Sequence, residues 1–460
     1  LFRTVARELL SSKAVLAYGG PREMEDKMEN RPAWRAWVIS IIAAIVLSMI
    51  ARFCFAQEAP RPASYYIDAA LSKNPSLSAM QERIRMKENA AIRAGALDNP
   101  KGWIAITNMP VRSWSFREEE MTGKEIGISQ MFPYPGKRAH MVQMGMIEKE
   151  QAERDLEEMR IMLRAEIGMN YAELSYVRKQ AEVVRRTQDV LMDIVGVTQE
   201  MYAVGKGSQA NVLRGQLEAG KMREMLLMLE NRERILSIRL NTLAALSPAE
   251  TVPPLDDLKE FPVSYDKARL MAMYEESRPA RKSLQAKVRK GEVGIAHAGH
   301  EARPDFEVSL SYMQRDAMPD GTRRSDMVTG MLSMTLPVWK KDRIDPGIRE
   351  MTAEREMAAR ELENLDLEAS NAFGAALFSM ENRATVAALY RTTLIPQAEQ
   401  ALEANMEAYR VAKIDFPMLL DSVTAVLSYR KEYPMAVGEM HMQKAKLEAI
   451  VGRELEGGER

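Results

Sequence analysis

Tyr202-Ala-Val-Gly-Lys-Gly-Ser-Gln-Ala-Asn-Val-Leu213 interrupts a long heptad pattern that then resumes. Before it, residues spaced four and three apart read Leu163, Ile167, Asn170, Leu174, Val177, Ala181, Val184, Gln188, Leu191 and Val195. After it the seam reads Val212, Gly215, Ala219, Met222, Leu226, Leu229, Glu233, Leu236, Leu240 and Leu243. Such a seam marks a helix packed along its length on other helices. Gly205 and Gly207 stop the first helix, and Ser208 is a good N-cap for the second. Residues 138–246 therefore read as an antiparallel helical hairpin with a short tip. A hairpin this thin cannot bury its own apolar face, so it must pack on copies of itself.

Working outward, residues 64–97 read as one helix with Pro75 near its start. Trp103-Ile-Ala-Ile-Thr107 and Lys124-Glu-Ile-Gly-Ile-Ser-Gln-Met-Phe132 read as strands. Residues 251–262, with three prolines, form a connector. Residues 266–299 are expected to be helical, with a kink at Pro279. A third strand alternates Phe306, Val308, Leu310 and Tyr312 with polar residues or Met. A fourth alternates Val328, Gly330, Leu332, Met334 and Leu336 with Met, Ser and Thr. Residues 344–409 read as a second long helix bent at Pro396, and residues 416–455 as its return.

The chain is thus one unit written twice. Tyr202-Ala-Val-Gly-Lys206 matches Tyr409-Arg-Val-Ala-Lys413, and Val212-Leu213 matches Leu419-Leu420. A repeat of this length implies a duplication. We divide the sequence into an upstream extension with signal peptide (1–56), a first repeat (57–250), a connector (251–263) and a second repeat (264–460). The leader reading rests on Arg31, Arg35, the apolar run 36–50 and cleavage after Ala56.

The clearest strands have the length that crosses an outer membrane when tilted. Four strands cannot close a barrel, and an open edge cannot sit in lipid. Several chains would have to share one barrel. The fold class is therefore mainly α with a small β part: duplicated helical hairpins plus four strands.

These features resemble the TolC-like outer-membrane efflux family. The resemblance rests on Gly127-Ile-Ser-Gln-Met-Phe-Pro-Tyr-Pro-Gly-Lys-Arg138, on the two tips, and on Phe416-Pro-Met-Leu-Leu-Asp421. The strands and leader resemble its heavy-metal and hydrophobic-drug branches. The resemblance implies a homotrimer with a 12-stranded barrel in outer-membrane lipid and a helical barrel through the periplasm. It also implies two partners, a periplasmic adaptor protein and an inner-membrane transporter, and no cofactor. Relatives close the periplasmic end with acidic residues near the second tip. The match here is Asp421. Met418 stands at the usually acidic position one turn earlier, and Asp415 lies nearby as a substitute. Tyr202, Val204, Gly205 and Lys206 of the first tip, with Tyr409, Val411, Ala412 and Lys413 of the second, are the candidate adaptor contacts. Lys206 and Lys413 either meet the adaptor or keep the tips soluble.

A net charge of -1 gives no electrostatic case for nucleic acid. The single cysteine, Cys54, allows no intrachain disulfide and no thiolate cluster. His297 and His300 stand three apart, the spacing of an incomplete metal site, while His140 and His441 read as isolated and solvated. The 34 methionines suit soft metals or simply fill helix seams. No catalytic motif is visible, and the chain reads as a non-enzyme. The alternatives to an efflux channel are an outlet for type I protein secretion and a coiled-coil scaffold, which would need neither leader nor strands.

Overall fold

The computed structural model describes residues 59–455. The leader and its cleavage position lie outside the described residues. The elements run α1 (Ala63–Lys73), α2 (Pro75–Gly95), β1 (Lys101–Thr107), β2 (Gly123–Phe132), α3 (Lys137–Ala203) and α4 (Gln209–Leu243). After the connector come α5 (Lys267–Ser277), α6 (Pro279–His300), β3 (Phe306–Gln314), β4 (Met327–Met334), α7 (Asp345–Leu389), α8 (Ile395–Arg410) and α9 (Phe416–Val451).

The expected helix over 64–97 is two helices. Asn74 takes an extended conformation, and its side chain accepts a hydrogen bond from Ser76 N, capping α2 with Pro75 in its first turn. A similar break, without a side-chain cap on the second helix, replaces the expected kink at Pro279. Asp266 caps α5, Arg278 is extended, and Pro279 opens α6. The bend near Pro396 is a π turn, Tyr390–Leu394, in which Ile395 N–H reaches back to Tyr390 O. A second π turn, Lys340–Ile344, likewise ends just before a proline, Pro346. Proline removes one donor and crowds the carbonyl four residues back; the widened turn accommodates both.

α3 is continuous over 67 residues, roughly 100 Å at 1.5 Å per residue. Its seam is inside: Ile167, Asn170, Leu174, Val177, Ala181, Val184, Leu191 and Val195 are buried. Val212, Gly215, Ala219, Met222, Leu226, Leu236 and Leu240 of α4 are buried too. The short helices dock in parallel ways. Tyr66 and Ala70 of α1 pack with Tyr171, Leu174 and Leu240 on the first hairpin. Leu270 and Tyr274 of α5 pack with Phe373, Met380 and Leu447 on the second.

The strands form one antiparallel meander, β1-β2-β3-β4, with β1 and β4 at its edges. Register puts Ile104 opposite Ile126, Ile126 opposite Tyr312, and Tyr312 opposite Val328. Ile128, Leu310 and Leu332 share that face, and all these side chains are exposed. The other face carries Trp103, Glu125, Gly127, Ser129, Ser309, Ser311 and Thr329. Among the described residues no helix is long and apolar enough to cross a membrane.

Candidate functional site

Both tips close by the same hydrogen bonds. In the first, Gly205 N donates to Tyr202 O at 3.0 Å and Lys206 N to Met201 O at 2.8 Å. In the second, Ala412 N donates to Tyr409 O and Lys413 N to Ala408 O, each at 2.9 Å. This paired closure is the Schellman motif, which needs a left-handed residue after the helix. Gly205 has φ +73° and Ala412 φ +55°. Ser208 then caps α4, its hydroxyl accepting from Asn211 N.

Tyr202, Val204, Lys206, Val411 and Lys413 are exposed at these turns. Tyr409 is not: it is 4% exposed. Its ring packs on Phe416 at 5.8 Å, and its hydroxyl donates to Thr198 Oγ1 at 3.3 Å. That bond ties the second hairpin to the first. Phe416 and Leu419 bury with Leu191, Ile194, Met222 and Val423 in one apolar cluster beneath both tips.

Asp415 precedes α9 in extended conformation. Asp415, Met418 and Asp421 follow one another at three-residue steps and are exposed, while Phe416, Leu419 and Val423 point into the core. Helix periodicity puts Met418 and Asp421, one turn apart, on the exposed side of α9, with Asp415 exposed just before its first turn. Ser422 secures the turn behind them, accepting from Asn405 Nδ2 at 2.5 Å and donating to Met418 O at 3.1 Å.

At the other end of α3 an elbow joins helices to sheet. Lys137 is buried, with Nζ 3.0 Å from the Asp305 carboxylate and 3.3 Å from Glu301. Asp305 also accepts from Tyr134 N at 2.7 Å. One aspartate thereby holds the β2–α3 and α6–β3 junctions together. Sequence reading missed this pair, because nothing local to either residue announces a partner so far away in the chain.

The histidines depart from expectation. His140 is not isolated: its ring meets His300 at 4.8 Å and His297 at 6.4 Å, both edge to face. His441 is not free in solvent either. It packs on Phe261 at 5.0 Å and hydrogen-bonds Lys259 O at 2.9 Å, and burial pushes its pKa down. Among the described residues no group of three His, Cys, Asp or Glu is arranged to hold a metal ion.

Residues 66–246, the first hairpin with its strands and leading helices, match the outer membrane efflux protein family. Over those residues the chain is similar to that family. The fold is also similar to that of solved outer-membrane proteins, over both hairpins. VceC, an outer membrane protein of Vibrio cholerae, superposes with a TM-score of 0.71 at 17% identity, covering 86% of this chain and 97% of VceC. The CmeC outer membrane channel of Campylobacter jejuni gives 0.68 at 14% identity, covering 85% of each chain. The MtrE outer membrane channel of Neisseria gonorrhoeae gives 0.69 at 14% identity, covering 84% of this chain and 88% of MtrE. No curated protein matches this chain.

Proposed function

We propose that this chain is an outer-membrane efflux protein, a passive channel formed by three copies, each giving four strands to a 12-stranded barrel and two hairpins to a helical tunnel. Metal cations or small hydrophobic compounds would enter from a periplasmic adaptor and an inner-membrane transporter. The observation that carries this reading is the four-stranded sheet. Its apolar face is exposed and its two edge strands are unpaired with each other. An isolated sheet of this kind is unstable in lipid and has too few strands to close. The helices have the same need. Leu217 and Met228 of α4, with Leu367 and Phe378 of α7, are large apolar side chains left exposed on one copy.

On this reading the repeats are 57–250 and 264–460, joined by 251–263. The exposed tip residues Tyr202, Val204, Lys206, Val411 and Lys413 meet the adaptor, and Tyr409 supports them from inside. Asp421, Asp415 and Met418 line the periplasmic constriction. A ring of carboxylates favours cations over anions. The test is purification in detergent followed by light scattering and planar-bilayer recording. Trimers that form discrete conducting pores are expected. A stable, fully helical monomer with no conductance would overturn the proposal.

A further inference from the structure

The elbow gathers three of the chain's four histidines. His140 lies in the first turn of α3, and His297 and His300 in the last turn of α6. The His140 and His300 rings stand 4.8 Å apart at 76°, and His140 and His297 stand 6.4 Å apart at 69°. His300 also meets the edge of Tyr134 at 6.3 Å. Nδ1 of His297 and Nδ1 of His300 are both shut off from solvent with no hydrogen-bond partner. Buried imidazole nitrogens left this way are costly to keep, and a site that keeps two of them invites a reason.

The charged surroundings are mixed. α3 contributes Lys137 and His140. α6 and its end contribute His300 and Glu301, and the following segment contributes Arg303 and Asp305. Lys137 is held between Glu301 and Asp305, and Arg303 lies over the Tyr134 ring at 5.8 Å. α7 brings the Met351 thioether against Gly294 and Arg355, itself paired with Glu356, against Gly291. Burial holds the His297 imidazolium below its ordinary pKa, Glu301 opposes this, and His140, Lys137 and His300 reinforce it.

We propose that the His140–His297–His300 cluster is a proton-sensitive clasp. Neutral rings, packed edge to face, hold the last turn of α6 on the start of α3. Protonation places like charges on neighbouring rings beside Lys137 and frees that turn from the elbow. The sign follows from linkage. His297 in the closed elbow binds protons less readily than a free imidazole. The closed form is therefore fully favoured above the ordinary histidine pKa and weakens as pH falls toward the lowered value.

The test uses the full-length protein in detergent. Hydrogen exchange, corrected for intrinsic pH dependence, is followed in peptides covering 291–303. About tenfold loss of protection is expected on going from pH 7.5 to 5.5. His140→Gln with His297→Gln should make protection equal at the two pH values. His441→Gln, in a separate environment, should leave the response unchanged. With only four histidines, selectively labelled protein also allows each ring to be titrated by NMR without any substitution. His297 should titrate below the ordinary range. Unchanged protection in the native protein, a response that survives the double substitution, a response removed by His441→Gln, or an ordinary His297 titration would overturn the proposal.

Discussion

Gly205 and Ala412 occupy the same position in the two tips, both left-handed, each followed by a lysine whose N–H closes the helix end. The first tip uses the residue suited to that conformation and the second does not. A non-glycine residue there costs about 1 kcal/mol. Ala412→Gly should therefore stabilise the second tip by roughly that amount, offset in part by glycine's entropy in the unfolded chain. Gly205→Ala should destabilise the first by a similar amount, since a Cβ there meets nothing within 4 Å and only the backbone term remains. Limited proteolysis at the two tips reads both effects. Equal cleavage in wild type and variants would refute them.

Asp421 is exposed one turn beyond Met418. If the carboxylates of three copies face one another, Asp421→Ala should weaken cation selectivity and block by added trivalent cations while leaving assembly intact. Met418→Glu should do the opposite. Bilayer reversal potentials in a salt gradient measure both. Identical values for all three proteins would show that this face does not meet the conducting path.

Phe416 is 1% exposed and packs on Tyr409 under both tips. Phe416→Ala should cost on the order of 3–5 kcal/mol through lost burial and the cavity left behind. Tyr409→Phe removes only the hydroxyl bond to Thr198, worth about 1 kcal/mol. The apparent melting temperature should fall steeply for the first and slightly for the second. A reversed order would mean that the hydroxyl, not the apolar cluster, holds the hairpins together.

Close helix approach in α3 and α6 depends on glycines. A Cβ on Gly291 of α6 would stand 2.8 Å from Arg355 Cα of α7. One on Gly145 of α3 would stand 2.8 Å from Ala91 Cα of α2. Backbone atoms cannot swing aside, so Gly291→Ala and Gly145→Ala should each cost roughly 1–3 kcal/mol by overpacking. Gly220→Ala in α4, with nothing within 4 Å, should be stabilising by about 0.5–1 kcal/mol through helix propensity. Thermal melts of the three variants decide the point.

Sequence alone determined whatever is written at short range. The seam from Ile167 to Val195 fixes which side of α3 is inside, because helical periodicity leaves no other choice. Alternation does the same for β3, where Val308, Leu310 and Tyr312 share one face. The tips were legible because Tyr202, Val204 and Lys206 recur as Tyr409, Val411 and Lys413 at the same spacing. Tertiary structure decided what depends on distant partners. Tyr409 matches Tyr202 in sequence, yet it is buried because Thr198 and Phe416 lie over it. Lys137 and Asp305 stand 168 residues apart in the chain and meet only when α3 and α6 pack. His140 reads as a lone polar residue until α6 brings His297 and His300 against it. Heptad spacing chooses the buried face of one helix but carries no record of which residue on another helix arrives at the same height. That is set by the register in which whole helices pack.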